Sequence, residues 1–247
     1  MRNIKLFIEY DGTNYHGWQR QPGLNTIQKL IEESIQKITN EKTIITGSGR
    51  TDSGVHAMEQ VANFKTSSTI NTDRITKALN SVLPCDIAII KSQQVHIDFH
   101  SQYDSLRKTY IYKILNRQSR TAINTKRVWH IPYKLDLKKM QNAAASLLGE
   151  HDFLVFSKTG SGVKTTVRSI YKASFTKKRD GTIEFCIQAN GFLKGMVRLI
   201  TGALVSVGKG KMTESEFAEI ISSGKKHKYI KSAPAHGLYL AKVAYDS

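Results

Sequence analysis

One short loop contains the side chains of this chain whose types and spacing are best suited to chemistry. Residues 47–57 read Gly-Ser-Gly-Arg-Thr-Asp-Ser-Gly-Val-His-Ala, so that Asp52 stands close to Arg50 between glycines. A carboxylate in such a place can act as a nucleophile or take up a proton. Polar loops between strands often carry catalytic groups. The plainer alternative is a hairpin turn in which Asp52 only bonds nearby backbone N–H groups.

The sequence on either side of the loop predicts the elements that position it. Residues 43–46 predict one strand, and residues 58–64 mix apolar and polar side chains as a second strand does. The glycines at 47, 49 and 54 permit backbone angles that are closed to other residues, so the loop can turn sharply and direct its side chains. The pattern is that of a strand pair presenting one polar loop.

The balance of charge indicates a polyanionic partner. The chain has 37 Lys and Arg residues against 20 Asp and Glu residues, which leaves a formal net charge of +17 and a sequence pI near 9.8. Each phosphate that a basic side chain neutralises releases condensed counterions, so an excess of this size favours nucleic acid binding. A single basic run, such as residues 225–228, is explained simply by solvated surface lysines. The excess of basic over acidic residues in the whole chain is too large for that explanation.

The remaining composition excludes several classes of protein. The cysteines are Cys85 and Cys186, too few for a disulfide framework, and a reducing cytoplasm fits them. The first ten residues alternate like a strand and lack the continuous apolar core of a signal peptide. The apolar stretch at residues 195–208 contains Arg198 and is too short to span a bilayer. We therefore expect a cytoplasmic protein with no membrane segment, and the sequence offers no metal-ligand constellation.

Hydrophobic periodicity in the first half predicts the order β-α-β-β-α-β. Asn25 and Gln28 resemble a capping box at the start of the first helix. The second helix has Val82 on its apolar face and is stopped by Pro84. The predicted elements outside the loop are strands at residues 4–10 and 86–90, a helix at residues 26–39 and an extended stretch that continues to residue 99.

The second half predicts a similar order of elements without obvious sequence identity to the first. Asp136 caps its first helix and Gly149 ends it, and Asp180-Gly181 indicates a hairpin. The predicted elements are strands at residues 107–115, 167–175, 182–189 and 238–244 and helices at residues 137–148, 196–207 and 215–221. We expect an α+β protein with two RRM- or ferredoxin-like halves, residues 1–104 and 105–247. Each half would be a mainly antiparallel sheet with helices on its outer face, with a cleft between the halves.

Several motifs resemble those of the tRNA pseudouridine synthase A (TruA) family. The sequence Gly-Arg-Thr-Asp-Ser-Gly-Val-His at residues 49–56 is similar to the signature loop of that family. The matches run in family order across nearly the whole chain, which is far more specific than one short motif. The other matching motifs lie at residues 10–21, 78–84, 108–112, 151–153, 189–193, 196–198 and 233–238.

The resemblance implies roles for four residues. Asp52 takes the place of the essential aspartate, and Arg50 that of the arginine that pushes into the stem where the base leaves. Tyr110 takes the place of the tyrosine against the target base, and Arg198 that of the arginine paired with the aspartate. The plainer alternatives are a structural ion pair for Arg198 and an ordinary strand aromatic for Tyr110.

Two sites depart from the family pattern. The family usually has Ala-Arg where this chain has Ser101-Gln102, and a bulky or basic residue where this chain has Gly195. Both lie near segments expected to face RNA, so they bear on the range of substrates more than on the chemistry.

The implied reaction explains the residue types. Turning uridine into pseudouridine breaks the N1–C1′ bond, rotates the freed uracil and forms a C5–C1′ bond, so no cofactor is expected. Asp52 can begin this by covalent attack at C1′ or C6 or by taking a sugar proton, and the sequence leaves all three open. Arg198 would keep that carboxylate ionised in a desolvated pocket. Tyr110 offers a ring face for the uracil and a phenol for removing the C5 proton, while Arg50 would offset part of the cost of flipping the base.

The resemblance therefore implies an isomerase that converts uridine to pseudouridine at positions 38, 39 or 40 of the anticodon stem-loop of tRNA. It also implies a homodimer with tRNA lying across both subunits. Neither a cofactor nor a metal is expected.

Two rival classes fit the residues less well. A zinc nucleobase deaminase needs His-x-Glu and Pro-Cys-x-x-Cys, whereas Glu59 stands one place too far from His56, and Cys85 has no second cysteine at the required spacing. A non-enzymatic RNA-binding protein of two RRM-like halves predicts aromatic-glycine RNP1 strands, which the sequence lacks. That class also leaves the Arg-Thr-Asp sequence of the loop unexplained.

Overall fold

The computed structural model describes residues 1–158 and 164–246, which divide into two units. The first unit comprises Met1–Leu106 together with the chain from Tyr239 on, and the second comprises Arg107–Leu238. The sequence placed the C-terminal strand in the second half, and in this the structure differs. Tyr239 and Leu240 pair with the strand that follows the Asp52 loop, and these backbone bonds hold the end of the chain in the first unit.

The first unit has the predicted order β-α-β-β-α-β, to which the C-terminal strand adds. Its elements are β1 (Arg2–Tyr10), α1 (Ile27–Thr39), β2 (Thr46–Gly47), β3 (His56–Thr66), α2 (Thr72–Val82), β4 (Ile87–Val95) and, from the end of the chain, β10 (Leu238–Ala244). β1 lies between β4 and β3 and is antiparallel to both. β2 pairs antiparallel with β3, and β10 pairs parallel with its first residues.

The core of the first unit lies between its sheet and its helices. The pleat of β1 directs alternate residues to opposite faces, and Ile4, Leu6 and Ile8 are fully buried. The apolar stripe of α1 buries Ile27 and Ile31, among others, and α2 packs on β4 and on α1. Val82 was predicted on the apolar face of α2 but stands at the last turn, where 38% of its surface remains exposed.

The strand before the Asp52 loop is shorter than the sequence predicts. Residues 43–45 lie outside β2 because the backbone of Ile45 bonds to side chains of α1. The N–H of Ile45 donates to Oε1 of Glu32 at 3.1 Å, and Nε2 of Gln28 donates to the carbonyl of Ile45 at 3.1 Å. These bonds attach the chain that enters the loop to α1.

The same contacts overturn the predicted capping box. The N-cap of α1 is Thr26, and Gln28 uses its side chain to hold Ile45 and the N–H of Arg20. The residue types of a capping box are present, but the side chain of Gln28 bonds to Ile45 and Arg20 and not to the start of the helix.

The strands of the second unit pair mainly antiparallel. Its elements are β5 (Arg107–Leu115), β6 (Trp129–His130), α3 (Leu137–Ala145), β7 (Gly149–Asp152), β8 (Val167–Lys177), β9 (Thr182–Ala189), α4 (Met196–Gly208) and α5 (Glu214–Ser223). The strands lie in the order β6-β5-β9-β8-β7, with β6 parallel to β5 and the other neighbours antiparallel. The prediction of an α+β protein with mainly antiparallel strand pairing is confirmed.

In the second unit, the sequence correctly predicted caps and turns whose hydrogen-bond partners are close in the chain. Oδ1 of Asp136 accepts the N–H of Lys139 at 3.0 Å, so the predicted cap of α3 is confirmed, although the helix ends at Ala145 rather than just before Gly149. The turn between β8 and β9 uses Gly181 with a positive φ of 86°. The short strands β6 and β7 were not predicted.

The helix α4 is the central helix of the second unit. It packs on α3 and α5, and most of its residues are buried. A side chain at Gly202 has no room, because a Cβ there would lie 1.7 Å from the carbonyl oxygen of Lys231. Within the described part of the chain, no helix is long and apolar enough to cross a membrane.

Candidate active site

The loop between β2 and β3 places exposed residues next to buried ones. Arg50 and Ser53 are exposed, Thr51 is only 7% exposed, and Asp52 is half-buried. The buried threonine therefore lies between the two side chains that the sequence singled out. This arrangement exposes the cation and partly shields the carboxylate.

The chain between β1 and α1 holds this loop through Thr51. The phenol oxygen of Tyr10 lies 2.8 Å from Oγ1 of Thr51, and the N–H of Trp18 donates to the carbonyl of Thr51 at 3.1 Å. On the far side of Asp52, the hydroxyl of Ser53 donates to the carbonyl of Tyr15 at 3.1 Å. The residues on both sides of Asp52 are thus bonded to one neighbouring segment.

The close approach of the two segments requires glycine. Gly17 has a φ of +87°, and a Cβ there would lie 2.6 Å from the carbonyl oxygen of Thr51. Within the loop, Gly54 has a positive φ of 76°, as the sequence suggested. Gly47 serves packing instead, since a Cβ there would lie 2.6 Å from Nε1 of Trp18.

Burial keeps the phenol that bonds Thr51 neutral. Removal from water raises the pKa of Tyr10 well above its usual range, and hydrogen bonds to Thr51 and Gln60 oppose this rise only in part. Tyr10 therefore stays a hydrogen-bonding phenol over the whole physiological range of pH.

A buried histidine fixes the end of the loop, where β3 begins. His56 is 2% exposed and stacks on Tyr239 with ring centroids 4.7 Å apart. Its Nδ1 accepts the N–H of Gly12 at 3.1 Å and lies 3.0 Å from Oδ1 of Asp11. The loop is therefore anchored at its exit as well as at its centre.

Tyr110 lies on β5 of the second unit and is 8% exposed. Its ring makes a T-shaped contact with that of Phe192, with centroids 5.0 Å apart and planes at 83°. Phe192 belongs to the motif at residues 189–193, so two of the segments that suggested the family are in contact. Tyr112, two residues on, is fully buried and donates its hydroxyl to the carbonyl of Pro234 at 2.7 Å.

Arg198 lies in the first turn of α4 and is held by the chain that precedes β10. Its Nε donates to the carbonyl of Ala233 at 2.8 Å, and the N–H of Ala233 donates to the carbonyl of Arg198 at 3.0 Å. Burial raises the pKa of Tyr112, and the positive charge of Arg198 opposes this rise. The guanidinium is thus fixed by a backbone carbonyl, which supports precise placement of its charge.

The structure draws attention to a lysine in the motif at residues 108–112 that the sequence did not single out for a role of its own. Lys108 precedes Tyr110 by two residues on β5, and burial lowers its pKa to about 8. The charge of Arg168 acts in the same direction. Two cations therefore lie near each other in the second unit, where they favour an anion.

The predicted site residues fall into two pairs. Arg50 and Asp52 share the loop of the first unit, whereas Tyr110 and Arg198 belong to β5 and α4 of the second. Among residues 1–158 and 164–246 no group of three or more His, Cys, Asp or Glu side chains could hold a metal ion.

The sequence pattern of one protein family matches most of this chain. The family is described as tRNA pseudouridine synthase, and the match covers residues 6–104 and 143–246.

The chain belongs to the tRNA pseudouridine synthase family.

The reaction of this family is the isomerisation of uridine to pseudouridine in tRNA, which makes the chain an isomerase.

Similar proteins match over their full length. A protein named tRNA pseudouridine synthase A from Acetivibrio thermocellus is 49% identical over 245 residues, covering 99% of this chain and 100% of that protein. One from Caldicellulosiruptor bescii is 48% identical, and tRNA pseudouridine synthase A 2 from Clostridium perfringens is 49% identical, both over the same shares. Among solved structures, an archaeal box H/ACA sRNP complex aligns with a TM-score of 0.32 and 13% identity over 82% of this chain and 43% of that one.

The two departures from the family pattern occupy different environments. Ser101 is fully buried, with its hydroxyl bonded to the carbonyl of Thr46 and its own carbonyl accepting from the phenol of Tyr245 at 2.6 Å. Its side chain therefore supports β2 at the entrance to the Asp52 loop, whereas Gln102 is exposed. Gly195 is the N-cap of α4, and the side chain of Lys158 lies where a larger residue would place its Cβ.

The sequence missed the buried polar residues that hold the loop. Tyr10 was treated as part of a strand, and Gln60 was one polar residue in a mixed stretch. One signal was present for Gln60: it occupies the same face of β3 as the apolar Ala62 and Phe64, where a polar side chain needs partners. Which partners it finds depends on the loop, and spacing alone does not reveal them.

Proposed function

We propose that this tRNA pseudouridine synthase acts on the anticodon stem-loop, at positions 38, 39 or 40. The support is near-full-length identity to proteins named tRNA pseudouridine synthase A, together with the motif order described above. The formal charge of +17 suits a tRNA partner, because each phosphate contact releases counterions.

We further propose that Asp52 is the catalytic residue. It begins the reaction by attack at C1′ or C6 or by taking a sugar proton, and all three routes need an ionised carboxylate. In this proposal Arg198 pairs with that carboxylate, and the hydrogen bond that holds its guanidinium supports this role. Tyr110 stacks on the uracil and offers its phenol to the C5 proton.

Arg50 has a separate role in this proposal. A uridine in a stem must leave the base stack before its glycosidic bond can react, which costs a few kcal/mol. The exposed arginine fills the gap that the base leaves and so offsets part of that cost.

The observation that carries the proposal is the order of exposure along the loop. Thr51 is buried and bonded to Tyr10, so its neighbours on either side are held while their own side chains remain available. A simple turn needs no such anchor at its centre. The anchor supports the proposal that Arg50 and Asp52 are held in a defined geometry.

Incubation with unmodified tRNA transcripts tests the proposal. Pseudouridine should form at one or more of positions 38, 39 and 40, located by a chemical that marks pseudouridine and blocks reverse transcription. A transcript with cytidine at all three positions is the matched control and should stay unmodified. Pseudouridine elsewhere in the tRNA, with none in the stem-loop, would overturn the proposed position.

We also propose that the protein works as a homodimer in the cytoplasm, with tRNA lying across both subunits. The support is the family resemblance. Light scattering of the purified protein should give twice the mass of 27.8 kDa, and a monomer mass over the working range of concentration would contradict the dimer.

A further inference from the structure

Gln60 is a fully buried polar residue in the strand that follows the Asp52 loop. It lies opposite Ile8 of β1, on the face of the sheet that forms the core, and it has no exposed surface. A buried amide is costly unless its donors and acceptors are all paired. Its partners therefore show what it does.

Those partners are concentrated at the start of the loop. Nε2 of Gln60 donates to the carbonyl of Gly49 at 2.9 Å, and Oε1 accepts the hydroxyl of Ser48 at 2.6 Å and the N–H of Val61 at 3.1 Å. One donor and both acceptor positions of the amide are thus used.

These partners also determine the orientation of the amide. The N–H of Val61 can only donate and the carbonyl of Gly49 can only accept, so the oxygen must face the first and the nitrogen the second. The opposite orientation would remove this partner from both groups.

The side chain of Gln60 continues the hydrogen bonding between β2 and β3 by one residue beyond the end of their ladder. The ladder between β2 and β3 pairs Gly47 with Ala62, and the N–H of Ser48 still donates to the carbonyl of Val61 at 2.7 Å. The next carbonyl, that of Gly49, bonds to the side chain of Gln60 in place of a backbone N–H. The loop can therefore leave the sheet at this point while its backbone stays attached.

We propose that Gln60 is a positioning residue for Arg50, acting through the backbone of Ser48 and Gly49. The inference rests on the proposed function, in which Arg50 enters the stem when the uridine leaves. Arg50 follows Gly49 directly and is exposed, so the direction of its side chain depends on how that backbone is held. Thr51, held by Tyr10, fixes the other side of the same residue.

Loss of the amide would act mainly on base flipping. Gln60→Met keeps the length and bulk of the side chain but leaves the carbonyl of Gly49 and the hydroxyl of Ser48 without this partner. A shift of about 1 Å in a positioned group can cost on the order of a hundredfold in rate. Asp52 retains the bonds that hold Thr51 and Ser53, so chemistry on a base that is easily flipped should suffer less.

The test compares one tRNA in two forms. In the first the target uridine is paired in the stem, and in the second a mismatched nucleotide faces it, which lowers the cost of flipping. For Gln60→Met, kcat/KM on the paired form should fall at least about tenfold more than on the mismatched form. In an Arg50→Ala background, the same substitution should cause little further loss on the paired form.

Matched variants keep the result interpretable. Ser92→Ala removes a buried hydroxyl from β4, one that donates to the carbonyl of Thr72 at 2.7 Å away from the loop, and it should lower kcat/KM on both forms by the same factor. Ser48→Ala removes one bond of Gln60 with little loss of volume and should show a smaller effect of the same kind. It also serves as the test should Gln60→Met not fold.

The outcomes separate the two proposals. If wild-type protein forms no pseudouridine on either tRNA, the proposed function is wrong. If wild type is active and the Gln60 and Ser48 variants lose the same factor on both forms, or add fully to Arg50→Ala, then Gln60 only stabilises the fold and this inference is overturned.

Discussion

The phenol oxygen of Tyr10 lies 2.8 Å from Oγ1 of Thr51, and both side chains are buried. Thr51 stands between Arg50 and Asp52, so one hydrogen bond from β1 fixes the centre of the loop. Neither residue meets the substrate in this account. Their contribution is the placement of their neighbours.

Tyr10→Phe should therefore weaken both the fold and the reaction. Removing one partner of a buried hydrogen bond costs about 1–3 kcal/mol, which urea denaturation can measure. Thr51→Val removes the other partner, and the double variant should lose less than the sum of the two single losses. Strict additivity would mean that the two hydroxyls do not interact in solution.

Substitution of Tyr110 separates stacking from proton transfer. Tyr110→Phe keeps the ring and deletes the hydroxyl, so tRNA affinity should be unchanged while turnover falls at least about a hundredfold, as is usual for a general acid–base group. Tyr110→Ala should also lose binding, because stacking on a base is worth about 1–3 kcal/mol. Wild-type turnover in the Phe variant would leave Tyr110 as a stacking surface alone.

Binding to tRNA should depend strongly on salt. If about five basic side chains contact phosphates, the logarithm of the association constant should fall with log[salt] with a slope of roughly −4. Filter binding from low to moderate salt measures this slope. A slope shallower than about −1 would show that the +17 charge does not form the binding surface.

Lys108, a half-buried lysine on β5, makes stability depend on pH. Its pKa of about 8 in the folded protein lies below the value of about 10.4 expected in the unfolded chain, so the folded state binds fewer protons between these values. The free energy of unfolding of the wild type should therefore rise across this window, and the cost of burying the charge is fully present at pH 7.

Lys108→Met removes that cost. The free energy of unfolding of the variant, minus that of the wild type, should be largest at pH 7. This difference should shrink as the pH rises from about 8 to about 10. Urea denaturation at pH 7 and 9.5 tests this, with Lys177→Met on the exposed part of β8 as the control. If the free energies of unfolding of Lys108→Met and wild type differ by the same amount at both pH values, the lowered pKa of Lys108 is contradicted.

Hydrophobic periodicity correctly predicted the elements that are determined by their own local sequence. β5 and β10 have the predicted bounds, and the cap of α3 lies where Asp136 indicated, because strand alternation and helix caps are local properties. The start of α1 and the length of β2 could not be predicted in the same way. There Gln28 and Glu32 bond to Ile45, and the fold rather than the local sequence brings those groups together.

The candidate site also contains residues that the sequence could identify and residues that only the fold reveals. Spacing and family resemblance single out Arg50, Asp52, Tyr110 and Arg198, and their roles stay predictions until tested. The sequence showed little sign of the groups that hold the loop, because a tyrosine on a strand and a glutamine in a mixed stretch have many ordinary uses. Their meaning comes from Thr51 and Gly49, which are 41 and 11 residues away in the chain.

Replacement of one carboxylate tests the central claim most directly. Asp52→Asn is nearly isosteric and removes only the charge and the nucleophile. On an unmodified tRNA that wild-type protein converts at positions 38, 39 or 40, the variant should form no pseudouridine, while its affinity for that tRNA changes less than about tenfold. Pseudouridine formation by the variant at a rate comparable to wild type would contradict the assignment of Asp52 as the catalytic residue.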